Sequence, residues 1–165
     1  MNAKYHTNSS LETCLPDFLF NPTNFSYSDY EARFGSRLAD IIFSSLYKNN
    51  RGSLPYRQLY PVNTLSDSFA VKYQFKLYDN RQIETVCIKR RTGNTICLST
   101  QAGCSVGCVF CESGKNGLYR NLTASEIIQQ FLFVKEPVNS IVFIGIGEPL
   151  NNYDEVLRAI HILRD

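Results

Sequence analysis

Three cysteines within eight residues set the strongest constraint on this chain. Cys104-Ser105-Val106-Gly107-Cys108-Val109-Phe110-Cys111 reads C-x3-C-x2-C. A run this rich in thiols and small residues reads as a loop wrapped around something the sulfurs bind. Three thiolates on one loop can hold three irons of a [4Fe–4S] cube and leave the fourth iron open to a small molecule. Gly107 lets such a loop turn tightly. Zinc is the alternative. It needs a fourth ligand and usually C-x2-C knuckles, and no spacing rule places either histidine, His6 or His161.

The other cysteines are Cys14, Cys87 and Cys97, which makes six in 165 residues. An even count suggests disulfides in a secreted chain. The start, Met1-Asn2-Ala3-Lys4-Tyr5-His6, lacks the apolar core of a secretory signal. The longest apolar stretches, such as residues 141–146, fall far short of the roughly 18 residues of a membrane span. A cytosolic protein with reduced thiols is therefore expected, with no membrane partner. Hydrophobic residues make up 44% of the chain, enough for a packed core, so a wholly disordered chain is excluded.

The net charge of +2 hides an asymmetry: residues 71–120 hold eight basic and three acidic side chains, residues 121–165 three and six. A basic middle, densest at Lys89-Arg90-Arg91, suits a polyanion or an ordinary solvated hairpin turn.

Residues 1–25 read as a loose arm with one anchored turn at 18–20. Helical periodicity runs from 27 to 47, with Phe34, Leu38, Ile41, Ile42, Ser45 and Leu46 near one face. Residues 53–70 are mixed, broken by Pro55 and Pro61. Three β-rich runs follow at 71–78, 82–89 and 94–100, joined at Asp79-Asn80 and at Arg91-Thr92-Gly93-Asn94. In the third run Thr95, Cys97, Ser99 and Gln101 share the more polar face. After the cysteine loop, Thr123-Ala124-Ser125-Glu126 is a capping box, and Ile127, Ile128, Phe131 and Leu132 fall at helical spacing. A buried strand is expected at 140–146, closed by Gly147-Glu148-Pro149. A helix with the apolar face Val156, Leu157, Ile160 and Leu163 ends the chain. From Asn94 the order is β, loop, α, β, loop, α, as in parallel α/β folds, whose active loops lie at strand C-termini.

The cysteine motif, with Phe110 just before its last thiol, resembles the signature of radical S-adenosylmethionine enzymes. Further stretches narrow the likeness. Cys97-Leu98-Ser99-Thr100-Gln101-Ala102-Gly103-Cys104, Gly114-Lys115-Asn116-Gly117-Leu118, Arg120-Asn121-Leu122-Thr123 and Gly145-Ile146-Gly147-Glu148-Pro149-Leu150-Asn151-Asn152 look like the RlmN/Cfr-type RNA adenine methyltransferases. Asn116 and Ile146 stand where that family commonly has Met, and Glu112 where it has a small residue.

The resemblance implies an α/β fold in three parts. Residues 1–70 would be an N-terminal helical accessory region, 71–93 a β-hairpin linker, and 94–165 the first two β/α units of a partial, incomplete (β/α)6 barrel. It implies a [4Fe–4S] cluster on Cys104, Cys108 and Cys111, and S-adenosylmethionine held by Gly147, Glu148 and Phe110. It implies that Cys97 resolves a covalent RNA intermediate and that Glu84 handles the proton. The substrate would be adenine carbon 2 or carbon 8 of 23S ribosomal RNA, with transfer RNA a second candidate, and an electron donor would serve the cluster. The family's methyl-carrying cysteine lies in its C-terminal part, and neither Cys14 nor Cys87 matches it. The expectation is therefore a truncated chain without turnover of its own and with helix faces left half exposed. The competing readings are a non-catalytic iron–sulfur or RNA-binding module and a zinc protein.

Overall fold

A computed structural model describes residues 22–49 and 59–164. The arm turn at 18–20, Cys14, His6 and Pro55 lie outside the described residues.

Two short helices come first, α1 (Tyr27–Phe34) and α2 (Ser36–Phe43), followed by a wider π-type turn, Ser44–Asn49. Ser26 caps α1 through a capping box with Asp29. The single helix expected over 27–47 is broken at Gly35, whose φ of 77° lies in the left-handed region. The break resets the helical phase. The buried face is Tyr30, Ala39, Phe43 and Leu46, while Leu38 and Ile41 of the expected face are exposed.

The main body is a five-stranded sheet of order β1-β2-β3-β4-β7. Its strands are β1 (Leu59–Ser66), β2 (Ala70–Leu77), β3 (Gln82–Ile88), β4 (Asn94–Cys97) and β7 (Val138–Val142). The first three pairings are antiparallel and β4–β7 is parallel. β1 departs from the mixed reading of 53–70. Pro61 is accommodated at the sheet edge beside a register shift between Pro61 and Asn63, where a missing N–H costs no inner ladder bond. The expected hairpin turn at Asp79-Asn80 forms, with Asn80 at φ 66°.

The stretch expected as one loop, 101–119, contains half of a small ribbon. β5 (Gln101–Gly103) pairs with β6 (Leu118–Asn121). Gly103 permits it: a Cβ there would lie 2.1 Å from the carbonyl oxygen of Gly117.

Helix α3 (Ala124–Phe133) starts at the predicted capping box of Thr123 and Glu126. Every residue from Ala124 to Gln130 is buried. The expectation of a half-exposed apolar face fails for α3, because the sheet, α4 (Tyr153–Arg164) and the turn at Pro22–Asn24 all cover it. It holds in part for α4, where Ile160 and Leu163 join Ile141 and Phe143 in an open groove of about 320 Å³. The core joins β2, β3 and β4 to α3 through Phe75, Ile83, Ile96, Leu98, Ile127, Ile128 and Leu132, each fully buried. Among the described residues no helix is long and apolar enough to cross a membrane.

Candidate functional site

Strands β4 and β7 keep pairing past their formal ends. Leu98 N–H donates to Val142 O at 2.8 Å, Gly145 N–H to Leu98 O at 3.1 Å, and Thr100 N–H to Ile146 O at 2.9 Å. The C-terminal ends of two parallel strands therefore lie side by side, where ligands bind in α/β sheets. One continues into the cysteine loop and the other into Gly145-Ile146-Gly147-Glu148.

The contact is close enough to require glycine. A Cβ on Gly145 would lie 2.8 Å from the Leu98 carbonyl. Gly147 has φ 107°, and a Cβ there would lie 2.6 Å from Gln101 Cβ. The Gln101 side chain spans this junction. Its Oε1 accepts the Glu148 N–H at 2.9 Å, and its Nε2 donates to Asn121 at 2.8 Å. Asn151 Nδ2 donates to Ser105 Oγ at 3.2 Å, tying the β7 end to the start of the cysteine loop. Asn152 Nδ2, buried, donates to the carbonyls of Thr100 and Leu122, both at 2.8 Å. The Glu148 carboxylate accepts the Leu150 N–H at 3.1 Å.

A second network fixes the strand ends from below. Gln130 on α3 accepts the Ser99 N–H at 2.8 Å and donates to the Ser99 carbonyl at 2.9 Å. Ser99 Oγ donates to the Glu84 carbonyl and accepts the Ile146 N–H at 3.0 Å. One buried hydroxyl thus links β3, β4 and the β7 end. In sequence Ser99 and Gln101 show only a shared polar face. Their alternation with Cys97 was the available signal, but their partners lie on other strands.

Val86 stands opposite Cys97 in the β3–β4 register, so Glu84, two residues along β3, projects from the same sheet face as Cys97. The Glu84 carboxylate accepts Lys72 Nζ and Gln74 Nε2, each at 3.0 Å. Partial burial pushes its pKa up, but the bonds from Gln74 and Lys72 outweigh that and hold it below the ordinary value. Cys97 is less accessible than a polar strand face suggested, at 7% exposure. Burial raises its thiol pKa, with Arg90 pulling the other way.

Glu84 lines a cleft of about 260 Å³ with Gln82, Gly103, Glu112, Ser113 and Tyr119, and Ile146 and Asn116 complete it. The cleft therefore opens between β3, the cysteine loop and the β7 end. Cys97 and Phe110 do not line it. Phe110 is 89% exposed at the loop tip.

The five described cysteines are all free thiols. Cys104 is buried, Cys111 half-buried and Cys108 exposed. The loop doubles back on itself: Cys111 N–H donates to Cys108 O at 3.0 Å, and a Cβ on Gly114 would lie 3.1 Å from Gly107 Cα. The Ser113 hydroxyl, with the N–H groups of Ser113 and Gly114, faces the Cys111 sulfur and lowers its pKa. Among the described residues no three Cys, His, Asp or Glu side chains are already gathered into a metal-holding group. Gly107, at φ 66°, takes the left-handed conformation that turns the loop between Cys104 and Cys108. His161, the one described histidine, lines a separate groove with Ser26, Asp29 and Asp154. The donor set is soft thiolate alone, which fits an iron–sulfur cluster held by three cysteines.

Residues 98–165 match the family model described as the Radical SAM superfamily. A "Probable RNA methyltransferase" of Rhodopseudomonas palustris is 40% identical over 154 residues, covering 93% of this chain and 40% of that protein. A "Probable dual-specificity RNA methyltransferase RlmN" of Carboxydothermus hydrogenoformans is 47% identical over 116 residues, 68% of this chain and 34% of that protein. The crystal structure of a radical SAM methyltransferase from Sphaerobacter thermophilus superposes with a TM-score of 0.77 at 28% identity, covering 87% of this chain and 51% of that one. The chain thus spans 40% or less of the length of these two curated relatives.

Proposed function

We propose, on the premise that residues 98–165 belong to the Radical SAM superfamily, that this chain carries the cluster- and S-adenosylmethionine-binding part of an RNA adenine methyltransferase. The observation that carries the reading is the junction of the cysteine loop with the Gly145–Glu148 end of the neighbouring parallel strand, tied by Gln101 and Asn151. It is also a reading of relatives, two of which are named as RNA methyltransferases.

Cys104, Cys108 and Cys111 hold three irons of a [4Fe–4S] cluster. When bound, such a cluster would supply the electron for reductive cleavage of a C–S bond of S-adenosylmethionine. Glycines 145 and 147 let the β7 end approach the methionine moiety, and the Glu148 carboxylate accepts its ammonium group. Phe110, exposed at the tip of the cysteine loop, would cover the cofactor. Glu84, kept ionised by Lys72 and Gln74, accepts a proton from the adenine ring carbon. Cys97, on the same sheet face, resolves the covalent RNA intermediate. Buried as it stands, it must lose its cover and its proton to act as a nucleophile. An electron donor serves the cluster.

Anaerobic reconstitution with iron and sulfide tests the reading. About four irons and four sulfides per chain are expected, with an electron paramagnetic resonance signal that changes when S-adenosylmethionine is added. Cys108→Ala should abolish the cluster. Zinc without sulfide would overturn the proposal.

A further inference from the structure

The tip of the β2–β3 hairpin is clasped to β6 by two arginine–aromatic pairs. Arg81 Cζ stands 3.7 Å from the centroid of the Tyr119 ring, and Arg120 Cζ 4.8 Å from that of Tyr78. The two arginines are otherwise unlike. Arg120 is consumed by Asp79 at 2.7 Å and by a two-pronged pair with Glu126 at 2.8 Å. Arg81 is exposed and, among the described residues, forms no ion pair.

The acidic groups around the cleft are already matched. Glu112 pairs with Lys115, Asp79 with Arg120, and Glu84 with Lys72. The guanidinium of Arg81, laid over the ring of the cleft-lining Tyr119, is thus uncompensated. Each tyrosine ring carries an arginine on one side and keeps much of its remaining surface in solvent, Tyr78 at 67% and Tyr119 at 47% exposure. A clasp that served packing alone would cover its rings. Tyr119 also lines the cleft that holds Gln82 and Glu84.

An exposed arginine plane laid on a half-exposed tyrosine ring is a platform on which unpaired bases stack, while the cation meets phosphate. Arg81 precedes Glu84 by three residues, about 10 Å along the chain at strand spacing. Gln82 lies between them on the cleft wall, with an amide able both to donate to and to accept from a base edge.

We propose that Tyr119 and Arg81 form a stacking site for an unpaired nucleotide of single-stranded RNA, flanking the nucleotide that enters the cleft at Glu84. The inference rests on the RNA-modifying reading above and adds to it the part of the surface that holds the strand beside the target base. Duplex RNA keeps its bases stacked on one another and offers no free face to Tyr119.

The test is fluorescence anisotropy of the full chain with a labelled single-stranded oligoadenosine and with an RNA duplex of equal length. The wild-type chain should prefer the single strand. Tyr119→Ala and Arg81→Ala should each weaken that binding about tenfold, and Tyr119→Phe should retain it, in line with the worth of base–aromatic stacking. Iron and sulfide content after reconstitution should be the same in all four proteins. Arg81→Ala alters an exposed side chain, so it guards against a folding defect in Tyr119→Ala. If the wild-type chain binds single strands and both alanine variants bind equally well, the stacking site is overturned while the superfamily reading stands. If the wild-type chain assembles its cluster yet binds no single strand, the inference falls together with the RNA substrate, and the cluster assignment survives.

Discussion

Gln101 Oε1 accepts the backbone N–H of Glu148 at 2.9 Å, across 47 positions of sequence. The same side chain lies where a Cβ on Gly147 would have to go. One buried amide therefore sets both the height and the direction of the turn that presents Glu148.

Gln101→Leu should cost about 1–2 kcal/mol of stability, because it leaves the part-buried Glu148 N–H without its acceptor, while the exposed Asn121 turns to water. Urea denaturation reads this directly. The variant should also bind S-adenosylmethionine more weakly at unchanged iron content. Unchanged stability would mean that water replaces the amide.

Gly147→Ala should be worse than a propensity change. The φ of 107° alone strains any L side chain, and the new methyl overlaps Gln101. A loss of about 2–3 kcal/mol is expected, with S-adenosylmethionine binding abolished before the fold is. Wild-type affinity in isothermal titration would refute the close approach.

Arg120→Met should destabilise by about 3 kcal/mol. Glu126 is fully buried and depends on Arg120 for two of its bonds, so removing the cation strands a carboxylate in the interior. The double variant Arg120→Met with Glu126→Gln should recover part of the loss. Thermal melts of the three proteins decide it.

Lys72→Met should lower stability more at neutral pH than in acid. Glu84 has a folded pKa held below its ordinary value, so its pairing contributes fully above the unfolded pKa of about 4.3 and is lost as pH falls through the folded one. The gap between wild type and variant should narrow on acidification. A gap that is constant with pH would show that Lys72 acts through packing alone.

Much of this was legible in order along the chain. The capping box at Thr123 and Glu126 starts α3 as read, and the hairpin turn at Asp79-Asn80 forms. The β, loop, α, β, loop, α order from Asn94 holds, with the ribbon of β5 and β6 inside the first loop. The α1–α2 face was misjudged because Gly35 shifts the phase of everything after it. β1 was missed because Pro61 argues against a strand, and only an edge position excuses it. Cys97 was read as lying on a polar face, whereas Val86 and Val142 flank it across the sheet.

The sequence by itself determined the elements whose causes are neighbours: the thiol spacing of 104–111, the caps, the turn residues and the strand and helix periods. Such signals act within a few residues, so they survive without knowledge of the rest of the chain. Only the tertiary structure decided that Gln101 meets Glu148, that Ser99 links Glu84 to Ile146, and that Arg81 lies over Tyr119 beside the cleft that Tyr119 lines. Those contacts follow from which strands lie side by side, and that choice is made by burying Phe75, Ile83, Leu98 and Ile128 together rather than by any local preference.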